Sequence, residues 1–165
     1  MYRSLPTADT QRAACDNARV KLSAKADYAV RAVLVLAAHD DPHPLKGELI
    51  ASAQNLPVKF VENILGELKH AGLVVSQRGP EGGYRLALPA DQITVAEVIR
   101  VVDGPLAAVA GVRPEAVRYP PGAEGLPEVW LEARTALRGV LESITFADLV
   151  SRGRSRAGRR RSAAR

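Results

Sequence analysis

Few side chains in this sequence are of a type, and at a spacing, that could do chemistry. His39, Asp40, Asp41 and His43 stand together, and imidazoles with carboxylates are what a metal site would use. Two prolines stiffen that segment, however, and nothing puts the four ligands on one face, so a solvated loop is the better reading. A single cysteine, Cys15, rules out an intrachain disulfide and any all-cysteine metal cage within one subunit. No nucleophile–base pair, phosphate loop or metal-ligand set emerges, so neither an enzyme nor a bound metal or cofactor is expected. What remains is basic: Arg78 at the head of the glycine-rich string RGPEGG, and the run SRGRSRAGRRRSAAR over residues 151–165.

The element that must position Arg78 runs from Leu56 to Leu86. Phe60, Val61, Ile64, Leu65, Leu68 and Leu73 recur at helical spacing, so one face of a helix is expected to be buried. Pro57 tolerates a first-turn position, and Gly72 follows the last periodic turn as a stop. Two strand-like pieces come next, Val74–Gln77 and Tyr84–Leu86, joined by the turn Arg78–Gly83. A helix feeding a two-stranded wing with an arginine at its tip has the shape of a winged helix-turn-helix, a DNA-reading module.

Length suits one domain, or a small domain plus an association element: 165 residues, 47% hydrophobic but only 4% aromatic. The core must therefore be built from Val, Leu, Ile and Ala. No apolar run approaches the roughly 20 residues that span a bilayer, and the start lacks the apolar stretch of a signal peptide. The chain reads as soluble and cytoplasmic, with no membrane partner. Its net charge of +5 is unevenly placed, because residues 152–165 hold seven arginines and no acid, leaving −2 for residues 1–151. Residues 21–91 carry eight basic and eight acidic side chains. Basic character there is local: Lys21, Lys25, Lys59, Lys69, Arg78 and Arg85. Residues 152–165 have the composition of a disordered tail. It is either a solvated segment or a sequence-independent phosphate contact that strengthens as salt falls.

Four divisions follow along the chain. Residues 1–20 lack apolar periodicity and read as a flexible extension; Val20, followed by Lys-Leu-Ser, is an expected alternative translation start. Residues 21–91 form the winged helix-turn-helix. Within them Ser23 caps a largely apolar, central helix ending near His39. Lys46–Gln54 forms a short helix with Leu49, Ile50 and Ala53 inward, and Asn55-Leu56 makes the tight turn. Residues 92–151 hold a helix over Thr94–Val102 with a Thr94/Glu97 capping box, an irregular loop over 106–125 and a long helix. On that last helix Leu126, Val129, Trp130, Ala133, Leu137, Val140, Leu141 and Ile144 recur every three or four residues. The stripe is more than the small domain can cover, and pairing with the same helix of a second subunit, a homodimer, is favoured over packing wholly within the chain. Thr145–Val150 is expected to make a last short turn, and 152–165 the disordered tail. The fold class is thus mainly α, with a small two-stranded wing and a long C-terminal dimerisation helix.

The strings KLSAKADYAVRAVLVLA, LPVKFVENIL, AGLVVSQRGPEGGYRLALP, ITVAEVIRVVDGPL and VWLEARTALRGVLESITFADLV resemble segments of the Rrf-type family of transcriptional regulators. The resemblance covers residues 21–151, and the wing string RGPEGGYRLA is its most specific part. It implies a homodimeric winged helix-turn-helix repressor that binds an inverted-repeat operator in double-stranded DNA. By position it carries over phosphate contacts to Lys21, Ser23 and Lys25, and the start of the recognition helix to Pro57, Val58 and Lys59. Phe60 stands where the family usually has tyrosine, so a hydroxyl contact is lost. Glu62 and Asn63 match positions facing base edges; a carboxylate can accept from a cytosine amine and an amide can pair with adenine. The other reading of Glu62 is a surface ion pair with Lys59 or Lys69. Arg78, Gly79 and Pro80 match a wing tip reaching into the minor groove, Gly82 and Gly83 a tight turn, and Tyr84 the wing base.

The departure matters as much. Cluster-binding members of the family place three cysteines in the loop before the dimer helix, and here that loop has none. Iron–sulfur clusters need thiolates, so the resemblance implies a member without one. A small-molecule effector in the 106–125 region, a partner protein, or no signal at all stay open as sensing modes. An adaptor that works by heterodimerisation with a related regulator is the alternative function.

Overall fold

The computed structural model describes residues 22–106, 117 and 119–163, the last seven as backbone. The expected N-terminal extension, Lys21 and most of the loop over 106–125 lie outside the described residues. The elements are α1 (Ala24–Ala38), α2 (Gly47–Ala53), α3 (Val58–His70), β1 (Val74–Gln77), β2 (Gly83–Leu86), α4 (Val95–Asp103), α5 (Leu126–Glu142) and α6 (Phe146–Ala163). The fold is mainly helical with one two-stranded antiparallel sheet. No helix among the described residues is long and apolar enough to cross a membrane.

α1 is the central helix. Ser23 Oγ accepts from the Ala26 amide at 2.9 Å and starts it. Its buried face is Ala26, Ala29, Ala32, Val33 and Leu36, and the alanines let α2, α3, α4, α6 and β2 all come close. α2 and α3 then end in the same way. Leu56 N donates to Ala51 O at 2.9 Å and Asn55 N to Ser52 O at 3.1 Å. Leu73 N donates to Leu68 O and Gly72 N to Lys69 O, both at 3.0 Å. Both are Schellman caps, with the left-handed position filled by Asn55 (φ 52°) in one and Gly72 (φ 77°) in the other. Each closes on a leucine, Leu56 or Leu73, buried in the core, and together they fix the angles at which α3 enters and leaves.

The wing pairs Val74 with Leu86, Val75 with Arg85, Ser76 with Tyr84 and Gln77 with Gly83. Leu45 bridges to the outer side of β2: its amide donates to Tyr84 O at 2.9 Å and the Tyr84 amide to Leu45 O at 2.7 Å. α4 starts from the Thr94/Glu97 capping box. α6 starts from a second such box, in which Asp148 Oδ2 accepts from Thr145 N (3.0 Å) and Oγ1 (2.8 Å), while Thr145 Oγ1 accepts from Asp148 N at 3.2 Å. These amide and hydroxyl donors hold the Asp148 carboxyl below the usual carboxylate range. The two helix starts are tied by backbone bonds, Val95 N to Ile144 O and Phe146 N to Ile93 O at 3.0 Å, and the Phe146 ring is fully buried.

Four expectations are corrected. Leu49 and Ala53 are exposed, Leu49 by 54%; a seven-residue helix turns one narrow side inward, and that side is Ile50 and Ala51. Phe60 is 45% exposed, because it lies roughly 100° round the helix from Val61, off the stripe formed with Ile64, Leu65 and Leu68. Ile144 is not on the helix expected to form the dimer but between α5 and α6. Finally, no short turn and disordered tail follow Thr145: one helix of 18 residues runs from Phe146 to Ala163. Arginine and alanine are strong helix formers, and the Thr145/Asp148 box gives the nucleus they propagate from.

Candidate nucleic-acid interface

The α2 start, α3 and the wing enclose an open groove of about 530 Å³, lined by Lys46, Gly47, Glu48, Glu62 and, in the wing, the stretches from Ser76 to Pro80 and from Gly82 to Tyr84. Glu62, Arg78, Gly79, Pro80, Gly82, Gly83 and Tyr84, which the sequence singles out at separate places, come together there. Pro57, Val58, Lys59, Phe60 and Asn63 lie on the adjoining first turns of α3, all exposed. Arg78 is exposed at the wing tip and donates to no acid among the described residues. Lys59 Nζ stands 3.7 Å from Glu62 Oε2, an exposed pair of the kind worth little in water.

The wing glycines work differently from a simple tight turn. Only Gly79 has a positive φ, 107°. At Gly82 a Cβ would stand 2.4 Å from the Gln77 carbonyl oxygen, and at Gly83 2.4 Å from that of Leu45. These two glycines are needed because other backbone passes against them, and at Gly83 that backbone is Leu45, bridged to Tyr84.

Ser23 and Lys25 are occupied within the chain. Ser23 Oγ donates to Asp103 Oδ1 at 2.7 Å, and Lys25 Nζ meets Glu67 Oε2 at 2.8 Å. They tie the start of α1 to α4 and α3. Lys21 is outside the described residues.

A positioning group not foreseen from sequence is centred on Arg31. Its guanidinium donates to the Gln54 carbonyl at the end of α2 and to Asp27 Oδ2 at 3.2 Å, and it lies 5.8 Å from the Tyr28 ring centroid. Tyr28 in turn meets Phe60 edge-on, centroids 5.8 Å apart. Two neighbouring side chains of α1 thus hold the turn into α3 and its first helical turn: Arg31 the turn and Tyr28 the helix start. The available signal was an arginine inside an apolar helix with an aspartate four residues before it.

α5 is the second surface. No residue of it is fully buried. Leu137 and Leu141, with Ile144 beyond, pack part-way on the chain's own core. Leu126, Val129, Trp130 and Val140 are exposed, Val129 by 53% and Val140 by 57%; Ala133 is exposed as well, and so is Leu131, which lies outside the predicted stripe. α5 is fastened to α4 by Glu142, whose carboxylate accepts from Arg100 and from Arg138 Nε at 3.1 Å. Those two guanidiniums, Arg100 first, hold the Glu142 carboxyl below its usual range.

In the loop after α1, His43 is held by Asp41 through its amide (2.8 Å) and ring Nδ1 (2.6 Å), and His39 Nε2 stands 3.0 Å from His43 O. No group of three His, Cys, Asp or Glu side chains among the described residues could hold a metal ion.

A short helix, a capped turn, a second helix and a paired wing define a winged helix-turn-helix DNA-binding protein. The model of the Rrf2 family, described as iron-dependent transcriptional regulators, matches residues 22–152, and the chain belongs to that family. It is 42% identical over 130 residues to an HTH-type transcriptional regulator of Mycobacterium tuberculosis strain H37Rv, covering 79% of this chain and 81% of that protein. It is 35% identical over 132 residues to the HTH-type regulator CymR of Bacillus subtilis strain 168, covering 80% and 91%. The solved structure of CymR, the global cysteine regulator of B. subtilis, superposes with a TM-score of 0.68 at 34% identity over 81% of this chain and 98% of that one. T. potens IscR does so with 0.66 at 32%, covering 81% and 88%. The chain is a DNA-binding transcriptional regulator and not an enzyme. The family's iron chemistry does not fit its donor set: the sole cysteine is Cys15, far in sequence from the loop between α4 and α5, and a cluster needs several thiolates.

Proposed function

We propose that two copies of this chain join through α5 and repress transcription in the cytoplasm by binding an inverted-repeat operator, without an iron–sulfur cluster. The observation that carries the reading is the uncovered apolar surface of α5 around Val129, Trp130 and Val140, beside a helix-turn-helix whose own core is closed. A two-fold axis pairs that surface with itself, and burying each large side chain is worth about 1.5–3 kcal/mol before the cost of association. The same axis sets two α3 helices at the separation of two half-sites.

In each half-site Pro57, Val58, Lys59 and Phe60 bring the start of α3 to the backbone. Glu62 and Asn63 face base edges in the major groove, as acceptor for a cytosine amine and bidentate partner for adenine. The exposed Lys59–Glu62 pair is weak enough to yield to such a contact. Arg78, carried by Gly79 and Pro80, enters the minor groove, and Gly82, Gly83 and Tyr84 hold the wing base. Lys21, Ser23 and Lys25 take phosphate contacts by position, with Ser23 and Lys25 chiefly setting α1 against its neighbours. A small-molecule effector in the 106–125 region is one of three sensing modes left open, beside a partner protein and no signal at all, and most of that region lies outside the described residues.

Genome-wide mapping of occupied sites would supply the operator, and fluorescence anisotropy on that duplex tests the reading. Glu62→Ala should relax the preference at one base pair by roughly 1–3 kcal/mol, and Arg78→Ala should weaken every site. Unchanged affinity and preference in both variants would sink the assignment.

A further inference from the structure

The charge of this molecule is divided between two places. The helix-turn-helix and wing, residues 21–91, are neutral overall, whereas residues 152–165 hold seven arginines and no acid, six of them in α6. Net attraction to a polyanion therefore has to come from α6. We infer that the C-terminal half of α6 is a second DNA contact, a sequence-independent grip on the phosphate backbone beside each half-site. The inference rests on the DNA-binding reading and adds a surface to it.

Its placement supports this role. α6 packs along α1 and shares with α2 a groove of about 550 Å³, where Leu149, Val150 and Arg154 face Leu49, Ala53 and Gln54. α2 is the first helix of the helix-turn-helix, the one that crosses the DNA backbone in this motif. It spans only about 10 Å, and its other end borders the groove below the wing. Arg154 pins α6 at this point through Asp40, Nη2 to Oδ2 at 2.9 Å. Arg152 lies near Asp148, one turn back. Arg156 is exposed and meets no acid among the described side chains. Arg159, Arg160 and Arg161 follow within the same helix, carried up to about 10 Å past Arg154 at 1.5 Å per residue. Arg156 takes no part in docking α6 among the described side chains, and a guanidinium suits phosphate oxygens. Among polyanions, duplex DNA is the one the rest of the chain already holds, so tethering raises its effective concentration at α6 above that of any free partner.

The test replaces Arg156, Arg159, Arg160 and Arg161 by Gln in the full chain, which keeps helix propensity. Circular dichroism and sedimentation confirm that helix content and assembly are unchanged. Affinity for the operator and for a scrambled duplex is then measured from low to physiological salt. A phosphate contact is worth about 0.9 in the slope of log affinity against log salt. With eight guanidiniums removed per dimer, the slope should shrink by roughly 3 or more. Both duplexes should lose affinity by the same factor, tenfold or more at low salt, so operator preference survives. An unchanged salt slope would overturn the inference while leaving operator binding intact. Absence of operator preference in the unsubstituted protein would instead overturn the reading on which it rests.

Discussion

The helix-turn-helix with its wing and the α5 helix are built to opposite plans. In the first, Ile50, Val61, Ile64, Leu65, Leu68 and Val74 are wholly or almost wholly buried, each helix is capped, and the wing is fastened to Leu45. In the second, no residue is fully buried, and the apolar stripe divides: Leu137 and Leu141 lean on the chain's own core, while Val129, Trp130 and Val140 face outward. The difference teaches that the reading unit is complete within one chain and α5 is not. A face of that kind is normal at an interface and costly to leave in water.

Substitutions in the two regions should therefore fail in different ways. The largest effect belongs to the closed core. Leu65→Ala should cost about 2–5 kcal/mol of stability, read as a lower denaturant midpoint. Next comes α5, where Val129→Asp with Val140→Asp should weaken self-association at least ~100-fold, about 2.7 kcal/mol, while far-UV circular dichroism and the wing region change little. A stability loss as large as that of Leu65→Ala would erase the contrast. Arg31→Ala probes the link between α1 and the turn into α3. Leaving the Gln54 carbonyl unpaired should cost about 1–3 kcal/mol and lower operator affinity beyond what the stability loss explains; normal affinity would remove Arg31 from the positioning group.

The smallest effect is electrostatic. The folded pKa of Glu142 lies below its unfolded value, so the contribution of its Arg100 and Arg138 contacts is present at neutral pH and lost as pH falls through the folded pKa. Asp148 behaves in the same sense through Thr145. Emission from Trp130, the single tryptophan, reports on α5 directly. It should change only below the ordinary carboxylate range, and a transition near neutral pH would mean that another group governs the joint.

Most of the fold was legible because its signals are local. Ser23, the Thr94/Glu97 box and the Gly72 stop each act within one or two turns, and the strand-like Val74–Gln77 is recognised from the glycine-rich turn beside it without a distant partner. What escaped depends on remote backbone or on composition overridden by context. Nothing near Leu45 says that it pairs with Tyr84, so the demand on Gly83 looked like turn chemistry instead of close approach. The partnership of Arg31 with Gln54 spans two helices. The α6 helix was hidden by its arginine-rich composition, although Thr145 and Asp148 carried a cap signature. Of the candidate interface, the residue types were legible, but the ties of Ser23 to Asp103 and Lys25 to Glu67 were not, because they join ends of helices far apart in sequence.

The central claim is that two chains joined through α5 form the unit that reads DNA. Sedimentation equilibrium of the unsubstituted protein and of the α5 double variant, each with operator duplex at concentrations near the dissociation constant, tests it most directly. The account predicts twice the 17.6 kDa chain mass on each duplex for the unsubstituted protein, and loss of tight operator binding in the variant. A single chain bound to the operator with undiminished affinity would contradict it.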